Sequence, residues 1–312
     1  MAYNNGRYEL IIVGAGPAGL SAALTAAYFK LKTLVVESGA AGGALANIYP
    51  WKEVYCYLGF RGLKGGEIAK RMVEHVRSEG IEIHENEEVK NIIKSKGKDI
   101  IVETTKGKYI TNTVILATGL NVPKKLNIPG EEYDNVYYHL PVPEKFKERK
   151  VIVVGGGDTA VERALILQIN GAETTLVHRR DTLRASDENI AKIKESNIEI
   201  IWNTELKKIG RKNNKLIVTL LNKKNDKRME MEFDSVFIAI GTTSNKEFFD
   251  RVNIKLDEKN HVIVDECART NIEGIFAAGD IVGRWLRIPE AVGEGGYAAL
   301  NAYKYIRNPY WA

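Results

Sequence analysis

Cysteine is nearly absent from this 312-residue chain, which has only Cys56 and Cys267. No C-x-x-C occurs, so neither a dithiol redox centre nor a zinc cluster can be assembled from neighbouring thiols, and no metal site is expected. A disulfide framework is excluded as well, which fits a reducing cytoplasm; the two thiols read as small buried hydrophobes. Long apolar runs are missing. None reaches the roughly 18 residues of a membrane span, and the first, Leu10 to Val13, lacks a basic leader and is broken by glycines and Pro17, unlike a secretory signal. Dense Lys/Arg stripes interleaved with aromatics are missing too. These absences leave no expectation of a nucleic-acid or membrane partner. The formal net charge of +5 is mild and would suit an acidic protein partner.

What the chain does have is glycine in meaningful places. The apolar run Leu10-Ile11-Ile12-Val13 stops at Gly14-Ala15-Gly16-Pro17-Ala18-Gly19. A small-residue helical pattern follows, Leu20 to Phe29, and then Thr33-Leu34-Val35-Val36 ends in Glu37. Strand, glycine turn, helix, strand and acid are the parts of a dinucleotide-binding unit. Gly14 makes the tight turn, Gly16 admits a pyrophosphate, and Gly19 lets the helix lie close on the strand. The helix N-terminus offers free N–H groups to phosphate, and Glu37 is placed to accept from a ribose.

The stretch Ala40 to Leu45 reads as too glycine-rich for a regular element, and aromatics crowd residues 49–60. Pro50 biases Tyr49 toward an extended backbone. A helix is expected over 65–78, with Ile68, Met72, Val73 and Val76 on one face, then short strands up to Thr113-Val114-Ile115-Leu116-Ala117. Residues 120–148 carry Pro123, Pro129, Pro141 and Pro143 and read as a connection between domains.

The opening motif then recurs. Val151 to Val154 leads into Gly155-Gly156-Gly157-Asp158-Thr159-Ala160, a helix and the strand Thr174 to Val177. Two copies imply two dinucleotides, or one dinucleotide and a degenerate relic. The second copy ends in His178-Arg179-Arg180, with Arg184 a turn later, instead of an acid. Guanidinium groups there suit a 2′-phosphate, so NADPH is expected over NADH. Val236 to Gly241 echoes the strand ending at Gly119, as though a first fold were interrupted and then resumed. Asp280 closes a late strand, where it could bond a ribityl hydroxyl.

In order and spacing, Gly14–Gly19, Ala117-Thr118-Gly119, Gly155–Ala160, His178-Arg179-Arg180 with Arg184, and Ala278-Gly279-Asp280 resemble the thioredoxin-reductase-like flavoproteins. The resemblance implies an α/β chain of two Rossmann-like, three-layer ββα dinucleotide-binding domains, the second inserted into the first. The FAD domain would be 1–119 with 242–312, the NADPH (NADP⁺) domain 120–241, and the assembly a homodimer. Ser38, Gly43, Leu45, Val89, Thr118, Gly119, Gly279 and Ile288 fall among the implied flavin-nucleotide residues. Gly155, Gly157, Asp158, Thr159, Ala160, His178 and Gly241 fall with the arginines at NADPH.

That family carries a C-x-x-C before the second glycine motif, where this chain reads Tyr137-Tyr138-His139-Leu140-Pro141-Val142-Pro143. Without it, no dithiol relays electrons to thioredoxin. Residues 42–52 and Gly59-Phe60 are instead similar to the thioredoxin-reductase-like ferredoxin–NADP⁺ reductases, although Ala44 stands where those enzymes usually have glutamine. That likeness puts Tyr49 against the flavin, assigns no acid or base, and implies ferredoxin, flavodoxin or another small acidic carrier as partner. Tyr310 and Trp311 are the candidates to cover the other flavin face. The rivals are an NAD(P)H oxidase or quinone reductase, a non-catalytic redox sensor, and a thiol route through Cys56 alone or Cys56 with Cys267.

Overall fold

The run Leu10-Ile11-Ile12-Val13 forms a strand whose every residue is buried, the state of a parallel strand covered on both faces. The computed structural model describes residues 6–95 and 97–308; Tyr310 and Trp311 lie outside them. The chain forms two compact units: residues up to Val122 together with those from Thr243 onward, and Pro123–Thr242. The chain passes between them twice.

In the first unit a five-stranded sheet runs in the order Ile275–Ala277, Thr113–Leu116, Leu10–Val13, Thr33–Val36, Glu82–His84. Every pairing is parallel. Alternation along the strands divides the core. Leu10, Ile12 and Val35 face the helices Pro17–Tyr28, Gly65–Ser78 and Ile288–Arg307. Ile11, Val13, Leu34 and Val36 face the antiparallel meander Val89–Lys94, Ile100–Thr104, Lys108–Thr111. The helix Pro17–Tyr28 buries Ala18, Gly19, Ala22, Ala23 and Ala26. Small side chains let it approach the terminal helix closely: a Cβ on Gly295 would stand 2.0 Å from Ala18 O.

The second unit repeats this plan. Its five-stranded parallel sheet runs Val136–Tyr137, Ser235–Ala239, Lys150–Gly155, Glu173–Val177, Glu199–Ile201. Val151, Val153 and Leu176 face the helix Asp158–Ile169. Ile152, Val154 and Val177 face the meander Thr204–Lys212, Lys215–Asn222, Arg228–Phe233. Both units are three-layer ββα folds of α/β class.

The structure differs from the sequence reading in places. Gly43–Asn47 is a short helix, because Gly42 at φ +116° supplies the turn that starts it. The stretch 120–148 is more than a connection: Val136–Tyr137 pairs with Ser235–Ala239. Around it, Glu131 accepts from the N–H groups of Leu126 and Asn127 (each 2.7 Å) and from the Tyr138 hydroxyl (2.6 Å). Among the described residues no helix is long and apolar enough to cross a membrane.

Candidate functional site

In each sheet the first strand of the glycine motif lies where strand order reverses, so a crevice opens beyond its C-terminal end. In the first unit Gly14 turns there at φ +105°, and a Cβ on it would stand 2.4 Å from Ala117 O and 3.2 Å from Thr118 Cα. Gly19 presses harder: its Cβ would meet Gly14 O at 1.9 Å. The helix therefore begins directly over the strand end, with Gly16 as N-cap and Pro17 at its first position. The first-turn amides of Ala18 and Gly19 find no helical carbonyl and mark the positive end of the helix. Gly43 flanks the turn, with 2.6 Å between a Cβ there and Gly16 Cα; Gly279 flanks it from the other side, 2.7 Å from Ala18 Cβ on the same test. A side chain at Gly43 or Gly279 would fill this cradle.

Glu37 organises the crevice. One carboxylate oxygen accepts from Ala15 N–H (2.8 Å) and the other from Gly39 N–H (2.9 Å) and the Ser38 hydroxyl (3.2 Å). The carboxylate's remaining lone pairs are available to a ribose hydroxyl. The sequence reading did not include Glu85. It holds the loop that follows Glu37, accepting from Ala41 N–H at 2.7 Å while Arg77 grips its other oxygen at 2.6 Å. The Ala41 bond and the Arg77 guanidinium keep this carboxyl below its ordinary range despite partial burial. On the far flank, Glu294 accepts from Gly279 N–H at 2.7 Å, with Arg284 at 3.2 Å. Burial pushes both Asp280 and Glu294 upward; Arg287 opposes this at Asp280, and the Gly279 N–H and Arg284 oppose it at Glu294.

Leu45 and Ile288 meet in one small apolar cluster with Val54, Ile68 and Ala69. Tyr49 is half-buried, its ring edge-on to Trp51 at 6.3 Å with the Lys52 ammonium 5.7 Å from its centroid. Gly119 follows Thr118 at φ +66°. Val89 is set apart from these residues: its side chain is buried in the core between the parallel sheet and the meander.

In the second unit the helix Asp158–Ile169 starts at Gly157, with Thr159 half-buried and Ala160 buried in its first turn. Asp158 accepts from Ser186 N–H (2.8 Å) and Asn189 Nδ2 (2.7 Å), and Arg184 N–H donates to Gly156 O at 2.7 Å. These bonds tie the arginine segment to the glycine turn. The His178 ring lies against Gly156, where a Cβ would meet it at 2.2 Å. Burial lowers its pKa, as do Arg184, Arg180 and Arg179, against a hydrogen bond to the Thr182 backbone that raises it. Arg179, Arg180 and Arg184 are exposed beyond the strand end. Gly241 is exposed at φ +102°, its carbonyl accepting from Lys124 N–H. Asn189, which sequence reasoning passed over, binds Asp158 and Glu162 together; no motif marks it.

Residues 8–295 match the family of pyridine nucleotide-disulphide oxidoreductases. A ferredoxin–NADP reductase of Ignicoccus hospitalis is 35% identical over 307 residues, covering 97% of this chain and 99% of that protein. A thioredoxin reductase of Bacillus subtilis is also 35% identical, over 306 residues, covering 96% and 95%. The crystal structure of Lactococcus lactis thioredoxin reductase superposes with a TM-score of 0.89 at 35% identity, covering 97% of this chain and 100% of that one.

Proposed function

The chain belongs to the pyridine nucleotide-disulphide oxidoreductase family, and on that footing we propose that it is an NADPH-dependent flavoprotein that delivers electrons directly to a small acidic carrier, ferredoxin or flavodoxin. The observation that carries this reading is a pair of complete dinucleotide cradles in a sequence with no C-x-x-C. Disulfide relay needs two neighbouring thiols, and this chain offers only Cys56 and Cys267; neither is the buried hydrophobe expected from the sequence, since Cys56 is exposed and Cys267 half-buried.

FAD fits the first cradle. The amides of Ala18 and Gly19 and the positive helix end would hold its pyrophosphate, Glu37 its ribose, and Asp280 a ribityl hydroxyl, with Ser38, Gly43, Thr118, Gly119 and Gly279 shaping the walls. When bound, FAD supplies the conversion between the two-electron chemistry of NADPH and the one-electron chemistry of a carrier. Residues 1–119 and 242–312 would form the FAD domain and 120–241 the NADPH domain. Tyr49 restricts and tunes the flavin ring. Arg179, Arg180 and Arg184 grip the 2′-phosphate of NADPH, and the His178 ring packs against Gly156 of the glycine turn. No side chain acts as an acid or base.

A homodimer is part of the proposal. The first and terminal helices leave an apolar groove of about 620 Å³ between Leu24, Tyr28, Tyr297 and Leu300, a surface suited to a second copy. The cytoplasm is the proposed compartment.

The test is NADPH oxidation by the purified yellow protein, run anaerobically with ferredoxin, flavodoxin or thioredoxin as acceptor and separately in air with no added acceptor. Ferredoxin or flavodoxin turnover without thioredoxin turnover is expected. Robust thioredoxin reduction would assign the chain to the activity named for its Bacillus relative. Fast reoxidation by air alone would make it an oxidase.

A further inference from the structure

Two apolar segments stand in solvent on the first unit. The hairpin Glu53–Val54/Leu63–Lys64 carries Tyr55 at 60% exposure and Leu58 at 97%. Within it the rings of Tyr57 and Phe60 stack at 4.9 Å and 8°. The loop ahead of the terminal helix carries Trp285 at 56% and Leu286 at 43%.

These segments adjoin. Ile288, three residues after Trp285, packs in the same cluster as Tyr57, Phe60 and Leu63. That cluster also contains Leu45, and Gly65, where the hairpin ends, donates to Lys52 O at 2.8 Å. The exposed patch is thus continuous with the Tyr49 segment. Cations rim it: Arg61, Lys64, Arg284 and Arg287 are all exposed. Against them stand Glu53, taken up by the Tyr55 hydroxyl, Glu290, Glu294, which pairs with Arg284 at 3.2 Å, and Asp280, which faces Arg287. Large apolar groups held together in solvent mark an interaction surface, and the charge rim selects the partner's sign.

We propose that the hairpin 53–64 and the loop 283–287 form the docking surface for an acidic electron-carrier protein with an apolar centre and a carboxylate rim. This rests on the reading of the chain as a carrier-reducing flavoprotein. Leu58 and Trp285 are its apolar anchors, and Arg61 and Lys64 its steering charges. A second copy of this chain is disfavoured, because the same cationic rim would face itself.

The test uses Leu58→Asp, Arg61→Glu and the control Arg61→Lys in the FAD-loaded enzyme, with an acidic [4Fe–4S] ferredoxin as probe. Ferredoxin binding to the immobilised enzyme is measured separately from NADPH-driven ferredoxin turnover. Menadione, a neutral small acceptor, reports basal activity. The expected result is a loss of ferredoxin affinity and a rise in KM on the order of tenfold or more in Leu58→Asp and Arg61→Glu. Menadione turnover and FAD content should hold in both, and Arg61→Lys should behave like the parent. Unchanged ferredoxin binding in both variants overturns the surface, as does a shift in sedimentation from dimer to monomer. A parent that binds ferredoxin through this patch without reducing it keeps the surface and overturns the function. A parent that neither binds nor reduces it overturns both.

Discussion

At the scale of single residues, the two crevices differ in charge, and in the proposed reading that difference selects their nucleotides. Glu37 ends one strand and holds the glycine turn through Ala15 N–H; Arg179 and Arg180 follow the corresponding strand of the second unit. A charge-assisted hydrogen bond contributes about 1.5–3 kcal/mol. Arg179→Ala should therefore raise KM for NADPH on the order of 10- to 100-fold and leave KM for NADH nearly unchanged; equal loss for both would remove Arg179 from 2′-phosphate recognition. Glu85 makes a different prediction. Its folded carboxyl sits below the ordinary value of 4.5, chiefly through Ala41 N–H, so its contribution is present above the unfolded pKa and is lost as pH falls through the folded value. FAD retention should weaken across that acid window in the parent, and Glu85→Gln should retain FAD less well at pH 7 with a flatter pH profile. If the variant's FAD dissociation constant matches the parent's throughout, Glu85 does not position the loop. Glu37 and the arginines were legible because each ends a recognisable strand. Glu85, Asn189 and Glu294 were not, because each acts through a backbone or side-chain partner distant in sequence, and local spacing carries no trace of that.

Among elements, the strand–glycine–helix units stood out in the sequence because their apolar runs, glycines and small-residue helices are set by local sterics. The helix 65–78 was equally legible from its apolar face. Other elements were hidden. The strand Thr204–Lys212 bulges between Leu206 and Lys208, which breaks the two-residue alternation a sequence reader looks for. The helix Asp187–Lys194 is short and mostly polar, and relies on the Ser186 cap. The two glycine turns are also unequal. The first has Gly19 where the second has Ala160, and a Cβ on Gly19 would collide with Gly14 O at 1.9 Å. Gly19→Ala should push the helix off the strand and destabilise the first unit by about 1–3 kcal/mol, with FAD lost on gel filtration. Ala160→Gly removes no such clash and should cost only about 1 kcal/mol of helix propensity, leaving NADPH binding intact. Equal effects from the two substitutions would mean the turns are not built differently.

For the whole molecule, each unit closes its own core on both faces of its own sheet, so ligands should stabilise the units separately. A ligand at about 100 times its dissociation constant adds about 2.7 kcal/mol to the unit that binds it. Removing FAD should lower one calorimetric transition, and adding 2′-phospho-AMP should raise another; a single transition moved by both would mean the units unfold together. Charge acts on the same scale. The chain carries a formal +5, and the cations around Leu58 and Trp285 lie in solvent, where the Debye length is about 8 Å at physiological ionic strength. The proposed 2′-phosphate contacts would act at closer range than that, through bidentate pairing, so salt should separate the two kinds of recognition. Raising ionic strength from about 0.01 to 0.5 M, which shortens the Debye length from about 30 Å to well under 8 Å, should slow ferredoxin association steeply. Menadione turnover with saturating NADPH should change little over the same range. If both acceptors lose activity in parallel, the salt acts on NADPH binding or on the flavin domain, and long-range attraction contributes nothing to carrier choice.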